Sequence, residues 1–278
     1  MKNITIDKVA GMNIHYLHYP LDYFLDSMNR MQIKNVELWG ASPHYYVEDF
    51  TISEAKSIKK KIESRNLKLI CFTPEQCIYP INIAAKEPYI RERSTRYFIK
   101  CIEAAAEINS PMMLITSGWG YLSESKEEAW KRSRDSLERI LQKAGPLGIL
   151  LALEPLRTDE SNLVNNLPAL KRMLTEIHSP ALKGMIDTIP MALADESIED
   201  YFRALGKDLV HIHFIDGKPR GHLAWGDGIL PLEEYVESLN SNNYEGYLTL
   251  EITDSGYLLN PEKAVGKSIE KLKKVLGK

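Results

Sequence analysis

Cysteine is scarce in this chain of 278 residues, which contains only Cys71, Cys77 and Cys101. No two of them have CxxC spacing, and Cys71 lies within an apolar run. Disulfides are therefore not expected, and a reducing, cytoplasmic environment is predicted.

Four further absences argue against particular classes of protein. Lys and Arg number 35 against 38 Asp and Glu, a net charge of −3, so the basic surface typical of nucleic-acid binding is missing. No uninterrupted apolar run of 18 residues occurs, and the first residues lack the apolar segment of a signal peptide, so neither membrane insertion nor export is predicted. No G-x-G-x-x-G follows a strand-like run, which disfavours a dinucleotide-binding sheet.

Short apolar runs instead alternate with longer amphipathic segments along the whole chain. Eight runs are candidate strands: Met12–Tyr16, Asn35–Trp39, Leu67–Thr73, Met112–Ser117, Ile149–Glu154, Gly184–Asp187, Leu209–Ile215 and Tyr247–Ile252. Eight β/α alternations in a chain of this length predict a single (β/α)₈ TIM barrel domain over residues 1–278, with an open doubly wound sheet as the alternative.

The predicted helices lie between these strands. They cover Ser53–Ser64, Ile90–Ile108, Lys126–Ala144 and Leu167–Ile177. Ser53 is the predicted N-cap of the first of these, and Gly145 to Gly148 predicts a helix stop before the fifth strand.

Four of the strand-like runs carry, at or near their C-terminal end, a residue that can bind a divalent metal. These residues are Glu154, Asp187, His213 and Glu251. A buried charge costs several kcal/mol unless it is paired or coordinates a metal. Because the C-terminal ends of barrel strands meet at one mouth, the four residues are predicted to share one site. Three carboxylates and one imidazole suit Mn²⁺, Co²⁺ or Mg²⁺, with Zn²⁺ a further candidate.

The order of these motifs resembles the xylose isomerase-like superfamily of sugar epimerases and isomerases. Within it, the likeness is to the ketose 3-epimerases, including those that act on fructoselysine. The resemblance rests on Glu37-Leu38-Trp39-Gly40 with Pro43-His44, Phe72-Thr73-Pro74-Glu75 with Tyr79-Pro80, Leu153-Glu154-Pro155-Leu156 with Glu160-Ser161-Asn162, Ile186-Asp187, and Gly246-Tyr247.

The resemblance implies specific roles for these residues. Glu154, Asp187, His213 and Glu251 would bind one divalent metal, and the two glutamates would act as an acid–base pair in an isomerase that works through an enediolate. Glu160 matches a substrate-binding glutamate of the family. Two departures concern the substrate: Pro190 stands where a histidine is typical, and Arg220 is displaced from the usual position of an arginine.

Other residues are candidate contacts for a sugar or ketosamine. Glu37, His44, Arg220 and Trp119 complete the predicted substrate-binding set. Glu37 is equally well interpreted as a structural ion-pair partner. His211 is interpreted as a buried, hydrogen-bonded core residue, and His222 as either a residue at the mouth or a solvated loop histidine.

Several functions remain open at this point. The preferred one is a metal-dependent 3-epimerase of a ketose or ketosamine such as fructoselysine. An aldose–ketose or sugar-phosphate isomerase or epimerase would use the same chemistry. An endonuclease IV-like phosphodiesterase lacks its further histidines here, and a non-catalytic sugar-binding protein would not need four ligands. The predicted partner is a small molecule, and a homo-oligomer is a further expectation.

Overall fold

A computed structural model of the protein describes residues 4–76, 80–218 and 220–276. Eight parallel strands close into a barrel: β1 (Val9–Met12), β2 (Asn35–Gly40), β3 (Lys68–Pro74), β4 (Met112–Thr116), β5 (Leu150–Glu154), β6 (Leu182–Asp187), β7 (Leu209–His213) and β10 (Leu248–Leu250). Around the barrel they lie in the order β1-β10-β7-β6-β5-β4-β3-β2. The strands β8 (Asp216–Lys218) and β9 (Arg220–Leu223) form a separate two-stranded sheet. The predicted TIM barrel is therefore confirmed, whereas Cys77 and Tyr79 lie outside the described residues.

Helices surround the barrel on its outer face. They are α1 (Leu21–Arg30), α2 (Ile52–Glu63), α3 (Pro88–Glu107), α4 (Lys126–Ala144), α5 (Leu167–Ile177), α6 (Thr188–Leu193), α7 (Ile198–Leu205), α8 (Leu232–Ser241) and α9 (Pro261–Val275). The boundaries of α4 and α5 agree with the predicted ones. No helix among the described residues has the length and apolar character needed to cross a membrane.

The first strand lies earlier in the chain than predicted. β1 ends at Met12, and Ile14–Tyr16 forms a 3₁₀ turn, so the predicted strand Met12–Tyr16 is wrong. The Asn13 side chain accepts a hydrogen bond from Trp39 N at 2.6 Å and donates one to Trp39 O at 3.1 Å. The Asn13 side chain thus makes the hydrogen bonds to β2 that the backbone of a longer β1 would have made.

The start of α2 is also shifted. The helix begins at Ile52 with Thr51 as the N-cap residue, and the Thr51 backbone N–H donates to the Glu54 carboxylate at 2.7 Å. Ser53 therefore lies inside the first turn and is not the cap. The predicted stop after α4 is present, because Gly148 has a φ of +68°, which glycine adopts without steric cost.

The barrel interior is layered along its axis. Side chains two residues apart on a strand share a face, so the buried Ala152 and Met185 lie directly below Glu154 and Asp187. They belong to a small apolar cluster with Ala10, Ile70, Cys71, Met112 and Leu114, separate from the main core between strands and helices. Above this apolar floor the interior becomes polar, which marks the C-terminal mouth as the functional end.

Candidate active site

Four strand ends bring their polar side chains together at the mouth of the barrel. Glu154 ends β5, Asp187 ends β6, His213 ends β7 and Glu251 directly follows β10. One ligand atom from each lies within 4.8 Å of those of the other three. We refer to these four residues as the mouth cluster; its geometry could hold one metal ion.

Three residues of the mouth cluster, Glu154, Asp187 and Glu251, line a cavity of about 210 Å³. Five carboxylates line this cavity: Glu75, Glu154, Glu160, Asp187 and Glu251. The other lining residues are Ile14, Trp39, Thr73, Pro74, Gln76, Leu114, Leu156, Arg157, His222 and Thr253. The volume suits a small sugar, and the surplus of carboxylates favours a cationic occupant.

His213 is oriented so that one ring nitrogen needs a cation. Its Nε2–H donates to Glu37 Oε1 at 3.1 Å, which leaves Nδ1 as the nitrogen that faces the cluster. Nδ1 lies 3.2 Å from Glu154 Oε1 and 3.0 Å from Glu251 Oε2, but it is buried without an aligned hydrogen bond. A lone pair and carboxylate oxygens repel one another unless a proton or a metal ion lies between them. The donor set therefore fits a divalent ion.

A second polar group lies immediately below the mouth cluster. Glu37 Oε2 accepts from His211 Nε2 at 2.7 Å, and Glu37 Oε1 accepts from both His213 Nε2 and the Thr73 hydroxyl. We refer to Glu37, Thr73 and His211 as the buried layer. Burial opposes ionisation of Glu37, but His211 and His213 outweigh it and hold the pKa of Glu37 well below its usual value.

This arrangement favours the structural one of the two interpretations of Glu37. The residue lies within β2, is fully buried and does not line the cavity, so this geometry gives no support to a substrate contact. Its ion-pair partners are His211 and His213. His211 is buried and hydrogen-bonded, as the alternation along β7 predicts. Glu37, Cys71 and His211 could also gather around an ion, but the Glu37 oxygens already accept three hydrogen bonds.

The pKa values of the two glutamates of the mouth cluster are shifted in opposite directions. Burial raises the pKa of Glu154 to about 8, while the neighbouring His213 partly opposes the shift. Burial also acts on Glu251, but His213 and His222 outweigh it and lower the pKa of Glu251 to about 2. Two carboxyl groups with pKa values pushed apart are typical of acid–base pairs.

His222 completes the site, and the sequence left its position open. It lies in a hairpin of β8 (Asp216–Lys218) and β9 (Arg220–Leu223) that follows β7. Its Nδ1 lies 3.0 Å from Glu251 Oε2, and its Nε2 lies 3.4 Å from Asp187 Oδ2. Burial lowers its proton affinity, but Asp187 and Glu251 outweigh this and raise the pKa of His222 to about 9.

The hairpin that carries His222 is anchored through one carboxylate. Asp216 accepts hydrogen bonds from the backbone N–H groups of Gly226 at 2.9 Å, Gly228 at 2.8 Å and Leu230 at 3.0 Å. The His222 carbonyl also accepts from Thr253 N at 3.1 Å, next to the Glu251 segment. In the sequence, the signal for His222 was the glycine-containing turn that it follows.

Glu160 lies on the cavity wall, where the resemblance implied a substrate-binding glutamate. Its Oε1 lies 2.7 Å from Arg157 Nη2, so its charge is compensated. The neighbouring residues are structural: Ser161 Oγ donates to Gly118 O at 2.6 Å, and the Asn162 amide bonds Gly120 N and O at 2.9 and 3.1 Å. These bonds clamp the loop after β5 to the loop after β4.

The three remaining predicted substrate contacts lie outside the cavity lining. His44 is buried between Asn13 and the Tyr19 carbonyl, with both ring nitrogens bonded at 2.7 Å. Arg220 is largely exposed and pairs with Asp159 at 3.0 Å. Trp119 lines a neighbouring cavity that shares the Glu160 wall. A direct contact with a small sugar in the main cavity is therefore not supported for these three residues.

A family model described as the xylose isomerase-like TIM barrel matches residues 26–275. The chain belongs to this family. The predicted resemblance is therefore confirmed at the level of the superfamily.

Relatives of this xylose isomerase-like protein include named sugar epimerases. It is 29% identical over 260 residues to fructoselysine 3-epimerase of Shigella flexneri, covering 92% of this chain and 94% of that enzyme. It is 23% identical over 237 residues to D-psicose 3-epimerase of Ruminiclostridium cellulolyticum, covering 82% of this chain and 77% of that enzyme.

Solved structures share the fold across different activities. The D-psicose 3-epimerase of Clostridium cellulolyticum, solved with D-tagatose, superposes with a TM-score of 0.79 at 16% identity, covering 98% of this chain and 100% of that one. A probable 3-DHS dehydratase of Bacillus anthracis superposes with a TM-score of 0.77 at 14% identity, covering 95% of this chain and 98% of that one. At these identities the likeness shows the barrel alone, and the chemistry must be argued from the site.

Proposed function

We propose that this protein is a metal-dependent 3-epimerase of a ketose or ketosamine such as fructoselysine. The observation that carries the proposal is the mouth cluster, in which Glu154 and Glu251 come from strands separated by β6 and β7. The similarity to a fructoselysine 3-epimerase over 92% of the chain supports the same activity.

Glu154 and Glu251 would perform the two proton transfers. One carboxylate removes the proton from C3, next to the C2 ketone, and the electron pair of the C–H bond moves into the enediolate. The other carboxyl group then returns a proton to the opposite face of C3. One proton is taken and one is given back, so only the configuration changes. General acid–base catalysis of this kind contributes about 10²–10⁴-fold to the rate.

The mouth cluster would hold Mn²⁺, Co²⁺ or Mg²⁺, with Zn²⁺ a further candidate. When bound, the ion supplies Lewis-acid stabilisation of the negative charge that develops beside C3. His213 is presented to the ion by Glu37, because a hydrogen bond on Nε2 fixes the tautomer that keeps Nδ1 free. His222 and Glu160 would hold the hydroxyl groups of the sugar.

The cavity favours an unphosphorylated substrate. Its one lining arginine, Arg157, is paired with Glu160, so no free cluster of cations awaits a phosphate among the described lining residues. An aldose–ketose isomerase would use the same proton chemistry, with the proton returned to a neighbouring carbon. A cytoplasmic location suits the buried free thiols of Cys71 and Cys101.

Incubation of the Mn²⁺-loaded protein in D₂O with fructoselysine, D-psicose, D-tagatose and ribulose 5-phosphate tests the proposal. NMR should show deuterium at C3 together with the C3 epimer. Deuterium at C2 of an aldose product, or at C1 of the recovered ketose, would identify an isomerase instead. A clear preference in kcat/KM for ribulose 5-phosphate would overturn the substrate assignment.

A further inference from the structure

The five carboxylates of the cavity differ in whether a cation already compensates them. Glu154, Asp187 and Glu251 surround His213 and would share the positive charge of the ion. Glu160 is paired with Arg157 at 2.7 Å. Glu75 stands apart, because none of the ion pairs formed by the described residues includes it.

Glu75 is held in place by neutral groups. Its Oε2 accepts a hydrogen bond from the Trp39 indole N–H at 3.0 Å, and its backbone carbonyl accepts one from the Tyr97 hydroxyl at 2.8 Å. Both Glu75 and Trp39 line the cavity that contains the mouth cluster. The carboxylate is therefore fixed beside an aromatic ring and keeps acceptor capacity that these contacts do not use.

The surroundings of Glu75 make its negative charge costly without a ligand. Burial raises the pKa of Glu75, and the charge of Glu251 raises it further, while the Trp39 hydrogen bond partly opposes the shift. A cation that enters the cavity would relieve this repulsion, and a charge-assisted hydrogen bond in such a site is stronger than one between neutral groups. A neutral hydroxyl would relieve less of it.

We propose that Glu75, backed by Trp39, binds a protonated amine carried by the substrate and so selects ketosamines over plain ketoses. This inference rests on the proposed epimerase function and narrows its substrate class. The aromatic ring of Trp39 adds an apolar surface on which the carbon atoms next to the amine can pack.

The test compares three substrates in wild-type protein and in Glu75→Gln, both loaded with Mn²⁺. The substrates are fructoselysine, the same compound with both of its amines acetylated so that neither can carry a proton, and D-psicose. We expect wild-type protein to prefer fructoselysine to its diacetylated form. In Glu75→Gln, kcat/KM for fructoselysine should fall by about 10- to 100-fold, mainly through KM, and by much less for the two compounds without a protonated amine.

Two further variants serve as controls. Glu75→Asp keeps the charge one methylene farther away and should lose less than Glu75→Gln, while Glu233→Gln changes an exposed glutamate of α8 and serves as the matched control. Metal content and melting temperature, measured for each variant, identify any that fail to fold, and Glu75→Asp then carries the comparison.

Each outcome separates this inference from the function on which it rests. The role of Glu75 would be overturned if kcat/KM in Glu75→Gln fell equally for substrates with and without a protonated amine. It would also be overturned if wild-type protein showed no preference for the substrate with the protonated amine. In both cases the epimerase function would stand. If wild-type protein places no deuterium at C3 of any of the three compounds, the epimerase function itself is wrong.

Discussion

The mouth cluster and the buried layer are neighbouring groups of buried polar side chains, but their carboxylates are compensated differently. In the buried layer, the carboxylate of Glu37 accepts hydrogen bonds from Thr73, from His211 and from His213 of the mouth cluster. In the mouth cluster, three carboxylates converge on one imidazole nitrogen that has no aligned hydrogen bond. Hydrogen bonds within the fold compensate the single carboxylate of Glu37, whereas three carboxylates around one imidazole leave a surplus of negative charge that favours a bound cation.

Metal removal should produce the largest effect, because the proposed ion would lie at the centre of the mouth cluster. Chelation should reduce turnover to background and lower the melting temperature, since an ion at 100 times its Kd stabilises the folded state by about 2.7 kcal/mol. Below about pH 8 the ion must displace a proton from Glu154, so apparent Mn²⁺ affinity should rise between pH 6 and pH 8. Titration calorimetry and thermal melting at several pH values measure both effects.

Asp187→Asn provides the control for metal removal, because it weakens the cluster without touching Glu37. Its melting temperature should respond little to added Mn²⁺. A wild-type protein whose melting temperature and turnover ignore both chelator and Mn²⁺ would contradict the difference between the two layers.

Glu154→Gln and Glu251→Gln come next in expected size. An amide keeps the shape and an oxygen ligand but cannot exchange a proton, so kcat should fall by about 10²–10⁴-fold or more. Deuterium incorporation at C3, measured together with bound metal, separates lost proton transfer from lost metal. Near wild-type exchange in metal-loaded Glu251→Gln would exclude the two-carboxylate mechanism.

Substitution of Glu37 should have a smaller effect than metal removal or substitution of Glu154 or Glu251. It is the most direct test of how the buried layer supports the mouth cluster. Glu37→Gln removes the charge that orients His213, and loss of such a supporting partner typically weakens metal affinity by about 10- to 100-fold. Thr73→Val is the matched variant, because it deletes another donor to Glu37 and leaves His213 bonded; its effect should be smaller. Equal Mn²⁺ affinities in all three proteins would mean that the layers act independently.

The fold and the convergence of the four mouth-cluster residues could be predicted from sequence for one physical reason. Charged residues such as Glu154 and His213 interrupt otherwise apolar strand runs, and a parallel barrel forces all strand ends to one side. Strand alternation likewise placed His211 on the inner face. The β1 prediction failed because Ile14, His15 and Tyr16 are apolar or aromatic for packing reasons, while the Asn13 side chain ends strand pairing.

The loops could not be predicted in the same way. Arg220 is turned outward by Asp159, which lies 61 residues earlier, and His44 is held by Asn13, 31 residues earlier. His222 enters the site through a hairpin whose course depends on Asp216 and on the segment after Glu251. Such long-range bonds leave no periodic pattern in the sequence, so spacing alone could not predict the course of the loops that carry His44, Arg220 and His222.

The clamp between the loops after β4 and β5 bears on how this barrel can diversify. Ser161 and Asn162 hold the backbone carbonyl and amide groups of Gly118 and Gly120, not the side chain between them. The relative position of the two loops is therefore fixed through backbone groups. Exchanges of side chains elsewhere on this rim should leave the course of the loops, and the proton chemistry of the mouth cluster, in place.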